Sequence, residues 1–135
     1  LMSNFIKSYQ ANVGLNHTPA YRVSGQPYAT SSIDATTAVS VSFPYVSRWF
    51  QVTNKSGAPL KVGFSAFGVA GTNYFTVNAS SSAGYGVSDI YELKITELHL
   101  LGSDDVDVVA GLTSIPGART TTSTGTSWSG SAGVG

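Results

Sequence analysis

The chain has 135 residues, enough for one domain with a modest core, and it has no cysteine, which excludes disulfides and thiolate metal sites. Seven basic residues balance seven acidic ones. They are few and scattered, so nothing in the sequence marks a nucleic-acid or anionic-membrane surface, while a net charge of zero favours self-association.

No apolar run reaches the roughly 20 residues that span a bilayer, so direct membrane insertion is not expected. No basic-then-apolar leader opens the chain. Leu1 stands ahead of Met2, which leaves the natural start open.

Along the chain the apolar period is two, the period of strands with alternating faces. Residues 1–30 are weakly patterned and read as an N-terminal arm, with Phe5, Ile6 and Tyr9 as its apolar contact residues. "AYRV" at 20–23 is a candidate first edge strand. Residues 31–115 read as one sandwich domain. "AVSVSF" alternates Val39, Val41 and Phe43 with small residues. "RWFQVTN" turns Phe50 and Val52 to one face and Trp49, Gln51 and Thr53 to the other. "PLKVGFS" puts Leu60, Val62 and Phe64 inward, and "NYFTV" adds Phe75 and Val77. "IYELKI" places Tyr91, Leu93 and Ile95 on one face, and "VDVVAGL" places Val106, Val108, Ala110 and Leu112. Turn residues separate these runs: "NKSGAP" at 54–59, then the longer "AFGVAGTN" and "NASSSAGYGVSD". No helix of ordinary length is expected. Short alternating strands with such turns indicate an all-β antiparallel sandwich or barrel.

The alternation slips once. After Ile95 the apolar residues are Leu98 and Leu100, so the strand needs a bulge or a change of sheet near Thr96 and Glu97. Residues 116–135 are nearly all Gly, Ser, Thr and Ala, with Trp128 as the large exception. Such a tail cannot offset its ordering entropy by burying its own side chains. It is expected to order only against the sandwich, a neighbouring copy or surrounding subunits, with Trp128 as anchor.

Candidate chemistry is thin. His17 and His99 are the two imidazoles. Glu97 and His99 can share a strand face, but no nucleophile elbow accompanies them, so structural or surface histidines are the reading. "SDDVD" gathers Asp104, Asp105 and Asp107 without the full calcium-loop pattern. A solvated turn and a calcium site both stay open there. Asn16, Asn54 and Asn78 head N-x-[ST] triplets, which matter only in a secreted chain. No cofactor and no enzymatic activity are expected.

The ordered series "RWFQVTNKSGAPLKVGFSAFGV", "NYFTV", "YELKITELHLLG", "VVAGLTSIP" and "TGTSWSGSAGVG", covering about residues 45–135, resembles the penton, or vertex capsid, protein of large icosahedral DNA viruses of the double jelly-roll lineage. The matching positions are Phe50, Val52, Asn54, Gly57, Leu60, Val62, Gly63, Phe64, Tyr74, Phe75, Leu93 and Ile95. The resemblance implies a single jelly-roll β-sandwich of two antiparallel four-stranded sheets. It implies a structural virion protein at the capsid five-fold vertex, assembled as a homopentamer among major capsid protein trimers and minor capsid proteins. It carries over no catalytic residue. Phe5, Ile6, Tyr9, Trp49 and Trp128 are the expected interface residues. The rival reading is a carbohydrate-binding β-sandwich module that uses outward Trp49, Tyr74, Tyr85 or Tyr91. A β-sandwich hydrolase is the least supported.

Overall fold

β-branched and aromatic residues alternating with small polar ones suit a pleated surface buried on one side, and the chain forms strands wherever that pattern holds. The structure is a computed structural model and describes residues 26–135. The strands are β1 (Pro27–Ala35), β2 (Val39–Ser42), β3 (Tyr45–Asn54), β4 (Leu60–Gly63), β5 (Tyr74–Val77), β6 (Gly86–Val87), β7 (Glu97–Leu101) and β8 (Ser103–Pro116). They form two antiparallel four-stranded sheets, ordered β1-β8-β3-β6 and β2-β7-β4-β5. The pairing is nested: β1 with β8, β2 with β7, β3 with β6, β4 with β5. One long hairpin has been rolled up on itself, which is the jelly-roll sandwich.

The tip of that hairpin is not a plain loop. Residues 66–70 form a short helix, α1 (Ala66–Ala70), whose N-cap Ser65 accepts a 2.9 Å bond from the Gly68 amide. β1 begins at Pro27, inside the span read as the arm, and β8 runs to Pro116. The candidate strand at 20–23 lies outside the described residues.

The slipped alternation is a change of sheet. Beyond β6 the chain follows the edge of β3: Ser88 donates to Val52 O, and Tyr91 exchanges two 3.0 Å bonds with Phe50. Further on, Ser47 Oγ donates to Leu93 O at 2.6 Å, and the Ser47 amide donates to Ile95 O at 2.8 Å. At Thr96 the chain crosses over and becomes β7, whose core residues are Leu98 and Leu100. Of the two explanations, a bulge or a change of sheet near Thr96 and Glu97, the structure has the second.

The core lies between the sheets. Phe50, Val52, Leu60, Val62, Leu98, Leu100, Val106 and Ala110 are fully buried, each large side chain contributing roughly 1.5–3 kcal/mol over its exposed state. Phe64, Phe75 and Tyr91 complete a ring cluster with Phe50, at centroid separations of 5.0–6.3 Å. Two inward expectations are only partly met. Phe64 is half-buried, and Leu93 is 40% exposed, because both stand where the sandwich opens toward the tail. No helix among the described residues is long and apolar enough to cross a membrane.

Candidate interaction surface

The tail folds back onto its own sandwich, and serine and threonine do most of the attaching. After β8 comes a single 3₁₀ turn (Gly117–Thr120). Ser127 and Trp128 follow, both with left-handed backbone (φ 50° and 62°). That geometry aims the buried Ser127 hydroxyl at the crossing, where it accepts bonds from Thr96 N (3.1 Å) and Glu97 N (3.2 Å). These amides would otherwise be left unpaired where β7 starts. Beside it, the Trp128 indole nitrogen donates to Lys94 O, and Thr126 Oγ1 donates to Glu97 Oε1.

The last residues reach α1. Ser65 Oγ lies 2.7 Å from Val134 O and 3.0 Å from Gly135 O. A Cβ on Gly68 would stand 2.2 Å from Val134 O, so only glycine lets the chain end approach the helix so closely. Between the tail and the run 92–95 remains a groove of about 470 Å³, lined chiefly by Phe64, Leu93, Ile95, Trp128 and Val134. Glu92 and Lys94 flank it.

Leu93 of the groove belongs to a run that exposes further apolar residues. Tyr85 is 63% exposed, Val87 54%, Ile90 60% and Leu93 40%, all on the edge run beside β3. Asp89 and Glu92, both exposed, alternate with them. Since Tyr91 faces Phe50 in a bonded antiparallel pair, the backbone groups of Ile90 and Glu92 point away from the sheet. An apolar edge of this kind is a pairing template.

Trp49 faces outward as its alternation requires, but it is half-buried. Its indole lies across Gly111 of β8, where a Cβ would come within 2.2 Å of the ring nitrogen. It stands on the outer face of the first sheet, away from the Trp128 groove. Phe5, Ile6 and Tyr9 lie outside the described residues.

Among the described residues the chemical candidates make structural contacts, and His17 lies outside those residues. Asn54 is fully buried. Its amide nitrogen donates to Ala58 O (2.8 Å) and Asn78 O (3.2 Å), and its oxygen accepts from Ser56 N (3.1 Å) and Ser103 Oγ (2.7 Å). Asn54 therefore ties β3, the turn after it, the end of β5 and the start of β8. In the folded chain its nitrogen is engaged and out of reach of glycosylation. Asn78 is exposed, and Asn16 lies outside the described residues.

In "SDDVD", Lys55 Nζ sits 3.3 Å from Asp105 Oδ1 and 3.2 Å from Asp107 Oδ1. The ammonium thus occupies the place between the carboxylates that a calcium ion would need, while Asp104 is exposed. The Asp107 hydrogen bond, helped by Asp105 and opposed by desolvation, holds Lys55 above the usual lysine pKa. Asp107 also accepts from Ser32 N at 3.0 Å, pinning a bulge in β1 where Ser32 has φ 56°. His99 and Glu97 do share a face, with Nε2 3.0 Å from Oε2. Glu97 is further engaged by Thr126.

Sequence reasoning treated Asn54 as a turn residue and missed α1. Ser65 was the available signal for the helix, as an N-cap type ahead of "AFGVA". Gly68 masked it, since glycine in a helix costs about 1 kcal/mol relative to alanine. Comparison of the chain with protein-family models, with characterised proteins and with solved structures gives no match in any of the three.

Proposed function

We propose that this chain is a structural virion protein, the subunit of a homopentameric vertex capsomer, or penton, in an icosahedral capsid. The observation that carries this reading is the open sheet edge with exposed Tyr85, Val87, Ile90 and Leu93, the last of which also lines the Trp128 groove. Large apolar groups of this kind in water mark a contact surface, and the near absence of net charge removes the repulsion that keeps copies apart. A ring of like subunits needs a surface on one side that meets a different surface on the next copy. A rolled sandwich offers two unlike edges, β1 and the run 86–95. Major capsid trimers and minor capsid proteins then surround the ring in the virion.

The carbohydrate-binding alternative needs aromatic rings turned to solvent. Of its four carriers, Tyr91 packs between Phe50 and Phe75, Tyr74 lies beneath the Lys61 ammonium at 4.9 Å, and Trp49 covers Gly111. Tyr85 alone among these four is mostly exposed.

Native mass spectrometry of the full chain tests the proposal. A species of five 14.0 kDa chains with five-fold averages in electron microscopy is the expected result, and Ile90→Lys should dissociate it. A chain that stays monomeric across micromolar concentrations, or that closes with another symmetry, overturns it.

A further inference from the structure

The bonding groups of the edge run alternate, and the alternation continues past its open part. Tyr91 exchanges two bonds with Phe50, Leu93 O accepts from Ser47 Oγ, and Ile95 O accepts from the Ser47 amide, so these three residues face β3. Ile90, Glu92 and Lys94 therefore turn their backbone groups away from β3, followed by the Thr96 amide at the crossing. At Ile90 and Glu92 the outward side is an open pairing template. At Lys94 and Thr96 the tail takes it. The Trp128 indole donates to Lys94 O, and Ser127 Oγ accepts from Thr96 N at 3.1 Å and from Glu97 N at 3.2 Å. Two side chains thus do for the end of this edge what a paired strand would do.

The segment that supplies them is held together by turns. Thr122 N donates to Gly125 O, Ser129 N to Thr126 O, Ser131 N to Trp128 O and Val134 N to Ser131 O. Apart from Trp128 and Val134 its side chains are small or polar, so these turns do not stand alone once the segment leaves the sandwich. Its bonds to the sandwich gather at the crossing and at Ser65, the N-cap of α1. Ser127 and Trp128 both have left-handed backbone, which disfavours the closed arrangement by about five- to thirty-fold at each. Thr121, extended at φ −71° and ψ 133°, follows the buried Thr120 and can serve as the hinge.

We propose that residues 121–135 are a releasable strap over this sheet edge. They lift as one unit while both sheets stay formed, and lifting extends the pairing edge from Glu92 to Thr96. Closed, the strap keeps the crossing from pairing with another chain. Open, it presents Lys94 O, Thr96 N and Glu97 N in line with Ile90 and Glu92. The strap needs no neighbouring copy, so it stands apart from the penton reading.

Amide hydrogen exchange of the full chain, followed by NMR, tests this. The amides of Thr96, Glu97, Trp128, Ser131 and Val134 should share one protection factor, about tenfold or more below that of Val108 and Ala110 in the central strand β8. Val52→Ala, at a fully buried position of β3, weakens the sandwich as a whole. It should speed exchange in β8 and leave the strap amides within about two-fold of the parent. Strap amides that speed up in step with β8 overturn the inference, because the strap would then open only by global unfolding. Ser127→Ala removes two bonds and should speed all five amides about five-fold or more. Speeding confined to Thr96 and Glu97, with Ser131 and Val134 unchanged, overturns the single unit. Thr96 and Glu97 exchanging with β8 in the parent, and not with the strap, overturns the extension of the edge.

Discussion

Replacing Asn54 by alanine removes four hydrogen bonds of 3.2 Å or less at one buried point, besides a 3.5 Å contact to Val77 O. Two are donated, to Ala58 O and Asn78 O, and two accepted, from Ser56 N and Ser103 Oγ. At about 1 kcal/mol net each, the bonds alone amount to roughly 4 kcal/mol. Ser103 is fully buried; its hydroxyl still accepts from Asp105 N at 3.4 Å but as a donor keeps only a 3.5 Å contact to Asp105 O, so a poorly satisfied donor adds to the loss. Water reaches the partly exposed turn at Ser56 and Ala58, which offsets part of it. The expected destabilisation is about 3–5 kcal/mol, a large share of the roughly 5–15 kcal/mol that holds a domain of this size. Urea unfolding followed by circular dichroism should show a lower midpoint at unchanged slope. Removing the Ser103 hydroxyl first should shrink the effect of Asn54→Ala, with a coupling of about 0.5–3 kcal/mol. Asn54→Asp adds a second arm. Its carboxylate would face two carbonyl oxygens, so its folded pKa rises above the ordinary value of about 3.9. Its deficit relative to the parent should then grow as pH rises from 4 to 7. A loss under about 1 kcal/mol for Asn54→Ala, or a deficit for Asn54→Asp that does not grow with pH, would refute the view of Asn54 as a tie between the sheets.

Leu98→Ala, at a fully buried position, should cost about 2–5 kcal/mol, whereas Phe64→Ala at the half-buried groove rim should fall below the roughly 3–5 kcal/mol of a fully buried ring; the two chemical midpoints decide. Gly68→Ala should displace the chain end from α1, read as faster trypsin cleavage at Arg119 and a red-shifted Trp128 emission in a Trp49→Phe background, with the sandwich still folded. Lys55 has a raised pKa in the fold, so its stabilisation is complete below the unfolded value of about 10.4 and is lost as pH climbs through the folded one. The stability gap between the parent and Lys55→Gln should therefore narrow above about pH 10.5, and a gap that stays constant into that range would contradict the pairing with Asp105 and Asp107.

Most of the sandwich was legible because burial on one face leaves a period-two trace. Val39, Val41 and Phe43, then Phe50 and Val52, then Leu60 and Val62 show it, and the slip after Ile95 located the crossing between sheets. What escaped was whatever depends on contacts between distant residues. Asn54 looks like any turn asparagine until β5 and β8 arrive at its amide. Gly68 argues against a helix on propensity and becomes intelligible only with Val134 laid against it. Trp128 was legible as an anchor, since nothing else in the tail is large. Its perch on the Lys94 carbonyl was not, because it depends on the left-handed turn at Ser127. The exposed edge was hidden for another reason. Leu93 sits at an inward position by alternation, and its exposure arises where the sandwich parts near Thr96.

The nested pairing sets an order of events. At the tip, Gly63 meets Tyr74 across only the short segment 64–73, while Pro27 must find Gly111 across most of the chain. Closing the outer pair from an open chain costs about 2 kcal/mol more in loop entropy than closing the tip, so β4–β5 nucleates and the sheets zip outward from it. Such distant pairings make folding slow for the size of the domain. During synthesis β8 and the tail emerge after the other seven strands, and the Trp128 groove has no second wall until they do. The groove beside the run 92–95 is therefore completed only when residues 117–135 have joined the sandwich, so a chain cut before Trp128 keeps the two sheets and loses that groove.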